Sequence, residues 1–246
     1  AGAYALMARA ALYFGAADSS FYATAGSAAK WVIDNSAAVP VSAAAFKASY
    51  YTDHASNSLF ELEANGTDNP GINGIAYIYR GTSYGDVRIL TGTGTNPDLY
   101  DILTATDVRG TVNGMIGTQQ GYPTVIGKYP TTNGSDNVTV IRVEEMHLIY
   151  AEALLRAGNA SGALTYLNNV PGLRNAPTYT SATLDNILLE RRKEFYGEGL
   201  RFYDLARTGQ DMPLIDSVKQ LNDDLTGTPP AFGLSLIHIS EPTRQP

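Results

Sequence analysis

Cysteine is absent from the 246 residues. That removes disulfides, thiolate zinc sites and cysteine nucleophiles together. Histidine is nearly absent: His54, His147 and His238 are far apart and in no metal-ligand spacing. No metal and no cofactor is therefore expected. No apolar run reaches the 18 residues that a membrane-crossing helix requires. Positive charge is scarce as well, with 17 Lys and Arg against 24 Asp and Glu, a net −7. A nucleic-acid partner is excluded on that ground, because phosphate binding needs a basic stripe. The chain has no G-x-S-x-G elbow. Its "GTGTNP" is glycine-rich but lacks the lysine and the strand–helix context of a phosphate loop.

What is present is enough apolar residue, 44%, for a substantial core, and 16 tyrosines against one tryptophan and seven phenylalanines. Residues 1–35 read as a helical hairpin. Leu6, Ala10, Tyr13 and Phe14 fall on one face and Gly15 ends the run; Phe21, Ala25, Ala28, Ala29, Val32 and Ile33 form a second face. Residues 136–207 repeat the idea: "LIYAEALLRAG" (148–158) is followed by a turn and an alanine-rich helix. Aligned without gaps, 6–15 and 149–158 share Ala8/Ala151, Ala10/Ala153, Leu12/Leu155 and Gly15/Gly158. Large and small residues in a helix, a glycine turn and a second Ala-rich helix resemble a tetratricopeptide hairpin. The expected fold is mostly α, a scaffold of such hairpins carrying an inserted lobe.

That lobe, residues 36–135, is rich in Gly, Asn, Thr and Asp and reads as loops with a few short strands. "SLFELEA" (58–64) alternates like one. Within "NGIAYIYRGTSYGDVR" (73–88), Tyr77, Tyr79 and Tyr84 stand amid Asn73, Arg80 and Asp86. An aromatic face packs on the apolar side of a sugar ring, while amide, carboxylate and guanidinium groups bond its hydroxyls. These six residues are the candidate ligand contacts. Tyr77 and Tyr79 share a face if the segment is a strand; the competing reading makes both of them core.

Residues 188–209, "LLERRKEFYGEGLRFYDLARTG", concentrate charge in a chain only 17% charged. Glu190, Glu194 and Glu198 recur every four residues on one stripe. A glycosidase needs two carboxyl groups facing each other across a scissile bond. Acids interleaved with Arg191, Arg192 and Arg201 on one helix instead suggest i,i+3 and i,i+4 ion pairs, with Arg201, Asp204 and Arg207 as a second set. Arg191 or Arg192, if buried, must pair with a carboxylate on another helix, Glu152 being the candidate. Thr183 is positioned to cap the helix, and Gly197 and Gly199 to bend it.

The combination R-x-x-E (Arg142, Glu145), AEA-L (Ala151, Glu152, Ala153), LN (Leu167, Asn168) and the run Glu190, Arg191, Arg192, Glu194, Glu198, Gly199, Arg201, Asp204, Leu205, Arg207 resembles the C-terminal signature of the SusD/RagB family. "LYDILTATDVRG" (99–110) resembles its D-x-R loop. The resemblance covers about residues 1–232 of what looks like an internal, C-terminal fragment. It implies a SusD-like α-α superhelix, with 208–233 extended and 234–246, "LSLIHISEPTRQP", a non-native tail resembling a translated adapter. It implies binding without catalysis. Family members are surface lipoproteins of Bacteroidetes that capture oligosaccharides, or peptides in RagB-like members, above a SusC-like TonB-dependent outer-membrane transporter. The motif glutamates and arginines, Glu152 included, are structural in that picture, and the lipid anchor lies outside this fragment. A helical-repeat module for protein–protein contacts, without small-molecule binding, is the alternative from the residues alone.

Overall fold

The computed structural model describes residues 1–80, 87, 89, 91, 98–119, 121–131 and 134–210. Tyr84, Asp86 and the segments expected to be extended or non-native beyond residue 210 lie outside these described residues, as does the side chain of Arg80.

Two helical hairpins form the frame. The first is α1 (Gly2–Phe14) with α2 (Phe21–Asn35); the second is α5 (Val143–Arg156) with α6 (Ala160–Asn168). The α1 face that turns inward is Ala5, Ala8, Ala11 and Leu12, while Leu6 and Phe14 are exposed. The expected face of Leu6, Ala10, Tyr13 and Phe14 has the right period but is rotated by one residue, about 100°. The face that meets α2 is mostly small, with Ala5, Ala8 and Ala11 joining Ala25, Ala28 and Ala29 in one core beside Leu12. On α2 the expected Ala25, Ala28, Ala29 and Val32 are buried, although Tyr22 rather than Phe21 turns inward.

Helix α5 is the central element. Ten of its residues are buried, on every side, including Glu144, Glu145, His147 and Glu152. One side joins α1 and α2 in a core with Ile141, Met146 and Ile149. The other joins α6 and α7 (Leu184–Glu194) through Leu148, Ala151, Leu167, Val170 and Ile187. The approach of α2 to α5 is tight: a Cβ added at Gly26 would stand 2.7 Å from the Cβ of Ala153. The Asn159 side chain accepts from the Gly162 N–H at the start of α6, and Thr183 from the Asn186 N–H at the start of α7, both satisfying otherwise orphaned helix donors. Gly197 and Gly199, with φ of +75° and +80°, stop α7 rather than bend it. The chain then restarts as α8 (Arg201–Arg207).

Between the hairpins lie β1 (Ser58–Leu62), α3 (Ile75–Arg80), α4 (Leu99–Ile102), β2 (Ile116–Gln119) and β3 (Tyr122–Val125). β2 and β3 form an antiparallel hairpin. β1, the strand expected at 58–64, pairs antiparallel with β4 (Val138–Arg142), with Leu62 opposite Val138 and Ser58 opposite Arg142. β4 runs straight into α5, so this pairing ties the irregular region to the frame. Tyr77 and Tyr79 stand on a helix, not a strand, and do not share a face. Their β-branched and aromatic neighbours favour a strand, but tertiary context overrides that weak preference. Tyr77 and Ile78 both donate backbone N–H groups to Gly74, and Ala76 is buried among Ile116, Val125 and Tyr129.

Filling the α2–α5 contact tests this packing. Gly26→Val is expected to lower unfolding free energy by about 1–3 kcal/mol, with partial recovery in the Gly26→Val/Ala153→Gly pair, read from denaturant midpoints.

Candidate functional site

The charged stretch builds a buried lock. Glu194, fully buried, accepts from three arginines delivered by three remote segments. Arg174 donates from Nε at 3.0 Å and Nη2 at 2.8 Å, Arg142 from Nη1 at 2.9 Å, and Arg109 from Nη1 at 3.2 Å. Arg109 is itself held by Asp107 through both oxygens, at 2.9 and 2.7 Å, and donates to Glu190 at 2.6 Å. Glu144 on α5 takes Arg174 at 2.9 Å and the Asn57 amide at 3.1 Å. The guanidinium planes rest on rings, Arg174 over Phe46 at 4.4 Å and Arg142 over Phe195 at 4.9 Å. Burial opposes ionisation of Glu194, but Arg174, Arg142 and Arg109 outweigh it and hold its carboxyl well below the usual carboxylate range.

This is not the ladder of pairs along one helix that the spacing suggested. Among the described residues only Lys193 with Glu190 and Arg207 with Asp204 pair at i,i+3 here. The other acids reach across the fold, because their stripe of α7 and the turn after it faces inward, where each charge must find a partner from another segment. Arg191 does pair with carboxylates on other helices, Asp204 at 2.7 Å and Glu145 at 3.7 Å, but not with Glu152. Glu152 is occupied by Arg207, twice at 2.7 Å, and by Arg156. Arg192 bonds Asp98. Arg201 makes no ion pair among the described residues, and burial lowers its pKa.

One member of this set reaches a surface opening. Glu198, on the turn between Gly197 and Gly199, accepts from Arg142 Nη2 at 2.9 Å, from the Lys128 ammonium and from the Tyr50 hydroxyl at 3.2 Å. Burial pushes Lys128 down to about 8, against the pull of Glu198. Its ammonium sits 4.2 Å from the Tyr196 ring. These groups floor a cleft of about 360 Å³. Its walls are Glu61 on β1, the 129–131 and 135–137 segments and Thr139 on β4; its rim is Tyr51 and Asp53. Tyr51 is 54% exposed, an aromatic face open to solvent.

The cleft wall is hydrogen-bonded in place. Glu61 accepts from the His54 N–H at 3.0 Å and from the Asn137 amide at 3.2 Å. Burial works against its ionisation, but hydrogen bonds from Ser58, His54 and Asn137 prevail and its pKa is lowered. Asp136 accepts from Thr131 N–H and hydroxyl, the latter at 2.8 Å. Tyr129 stacks on Tyr79 at 5.6 Å and donates its hydroxyl to the Gly197 carbonyl at 2.8 Å.

Of the six residues expected to contact ligand, Asn73 is exposed and lines a smaller hollow of about 130 Å³ that shares Tyr129 and Asp136 with the cleft. Tyr77 and Tyr79 are half-buried, and Tyr79 packs in the core of the irregular region. Arg80, Tyr84 and Asp86 fall on positions whose side chains are not described. Sequence reasoning missed Tyr50, Tyr51, Asp53, Glu61, Asp136 and Asn137. The pair Tyr50–Tyr51 followed by Thr52 and Asp53 was the one local signal. The rest meet only through the pairing of β1 with β4.

A helical-hairpin scaffold presenting a cleft on an irregular region is the class of protein that these features define. Residues 100–233 match the SusD family, and the chain belongs to that family. It is 31% identical over 117 residues to SusD-like protein P38 of Formosa agariphila, covering 40% of this chain and 23% of that protein. A Bacteroides vulgatus protein shares the fold with a TM-score of 0.75 at 26% identity, over 87% of this chain and 48% of that one. Surface glycan-binding protein A from Bacteroides thetaiotaomicron, solved in complex with laminarihexaose, shares it with a TM-score of 0.62 at 23% identity, over 85% and 54%. The chain thus spans about half the length of the solved structures it matches. The helix-dominated, tetratricopeptide-like scaffold expected from the sequence is the observed one.

Acid tests the lock. Glu194, Glu198, Glu152 and Asp204 all have pKa values lowered by their partners in the folded state. Their stabilisation is complete above the unfolded carboxylate values and is lost as pH falls below them. Urea midpoints are expected to stay level from neutral pH to about pH 5 and to fall as pH drops through the carboxylate range. Glu194→Gln is expected to cost about 3–5 kcal/mol at neutral pH and to flatten the acid limb.

Proposed function

We propose that the protein captures oligosaccharide at the cell surface and passes it to a SusC-like TonB-dependent transporter of the outer membrane, to which a lipid anchor holds the full-length protein. The observation that carries this reading is the cleft. It sets the exposed ring of Tyr51 in one lining with the Glu61 and Asp136 carboxylates and the Asn137 amide, which hydrogen bonds already hold in place. A sugar ring offers an apolar face to the tyrosine and hydroxyl donors to the carboxylates. A volume of about 360 Å³ falls in the range of small-ligand sites. Membership of the SusD family and the laminarihexaose-bound structural neighbour support the same class of ligand. Among the described residues no helix is long and apolar enough to cross a membrane.

Two of the cleft's carboxylates are unsuited to the part of a hydrolytic general acid. A glycosidase's general acid carries a raised pKa. Glu61 and Glu198 in this cleft both have theirs lowered. Asn73, Tyr77, Tyr79, Arg80, Tyr84 and Asp86 remain a proposed extension of the site; of these Asn73 lines the hollow that shares Tyr129 and Asp136 with the cleft.

Titration calorimetry against neutral polysaccharides is expected to give binding. Tyr51→Ala, at an exposed position, is expected to weaken it about tenfold, roughly 1.4 kcal/mol, with an unchanged melting temperature. Tyr84→Ala in the same titration tests the extension. Binding to peptides and to no glycan would overturn the reading.

A further inference from the structure

The cleft has a sign. Its lining includes Asp53, Glu61, Asp136 and Glu198, and Lys128 is the one ammonium or guanidinium among the described lining residues. That ammonium is not available to a ligand. Its side chain is fully buried, its Nζ is bound to Glu198 and, at 2.7 Å, to the Glu194 carbonyl, and the Tyr196 ring covers it. Arg142 behind it is committed to Glu194, Glu198 and Glu144. Of the basic groups at the rim, the His54 imidazole faces Glu61 and Glu63, at 3.7 and 3.3 Å. Lys47 stands 5.8 Å from the Tyr51 ring centroid. Asp53 is exposed, two residues from Tyr51.

Capture of a sulfate or uronate takes arginine or lysine aimed into the site. The described lining offers carboxylates and no accessible ammonium or guanidinium. A ligand in the cleft meets a lining that contains both Asp53 and Glu61, and their charge is screened only over a Debye length of ~8 Å at physiological salt. A like charge brought there is repelled and also loses its hydration. Neutral sugar hydroxyls are instead donors to those same oxygens.

We infer that Asp53 and Glu61 make the cleft select neutral oligosaccharides and reject anionic ones, with Asp53 the specificity-determining residue at its mouth. The inference rests on the reading of the cleft as a glycan site. The test titrates the protein with one neutral oligosaccharide that binds it and with the sulfated form of that oligosaccharide, at low and high salt. The neutral form is expected to bind at least tenfold more tightly, with the gap narrowing as salt rises. Asp53→Lys, at an exposed position that the core does not use, is expected to close most of the gap between the two forms. Equal or tighter binding of the sulfated form, with neutral binding intact, would overturn the selectivity and leave the glycan reading standing. An unchanged gap in Asp53→Lys would overturn the role of Asp53. Binding of neither form would overturn the glycan reading and this inference with it.

Discussion

A single buried carboxylate organises this protein. Glu194 sits at the end of α7 and receives guanidinium groups from the loop at 107–110, from the end of β4 and from the turn at 171–174. None of these segments is long enough to stabilise itself. Loss of that carboxylate would strip a partner from three buried arginines at once, which neighbouring apolar packing does not repair. The arrangement also explains why the arginines lie on aromatic faces. Phe46, Phe195 and Tyr50 cover the guanidinium planes whose edges are spent on hydrogen bonds.

The lock and the cleft share parts. β4 ends in Arg142, which reaches into the lock, and three residues earlier Thr139 faces the opening. Glu198 closes one end of the lock and floors the cleft, and the left-handed glycines on either side of it allow the sharp reversal that places it there. The cleft region is irregular in backbone, yet its floor is fixed from behind by the buried charges of the lock. Preorganisation of that kind reduces the ordering cost of binding.

Much of the frame was legible from the residues. The hairpins at 1–35 and 143–168 follow from helical period and glycine turns. The Thr183 cap, the interruption at Gly197 and Gly199 and the strand at 58–62 follow from local chemistry. What failed did so for identifiable reasons. On α1 the period was right and the phase was wrong, because alanine-to-alanine packing buries the small face and leaves Leu6 and Phe14 outside. On 75–80 the aromatic and β-branched composition pointed to a strand, and contacts with β2 and β3 imposed a helix. The acids at 190, 194 and 198 lie at spacings that fit pairs along one helix, and nothing local says that their stripe faces inward. The cleft was illegible for a deeper reason. Tyr51, Glu61 and Asn137 are brought together by long-range strand pairing, and no window of sequence contains them.

The position of Glu198 divides the opening into two kinds of ground. At the mouth, Tyr51 and Asp53 project from a surface turn and carry little of the fold's stability, so they are free to be rewritten one residue at a time. At the floor, Lys128, Tyr50 and Glu198 are fastened to the same charges that hold the helices together. A new ligand preference is therefore open to this scaffold only from the outside inward. The depth of the cleft is built with the fold, while its lip is free to change.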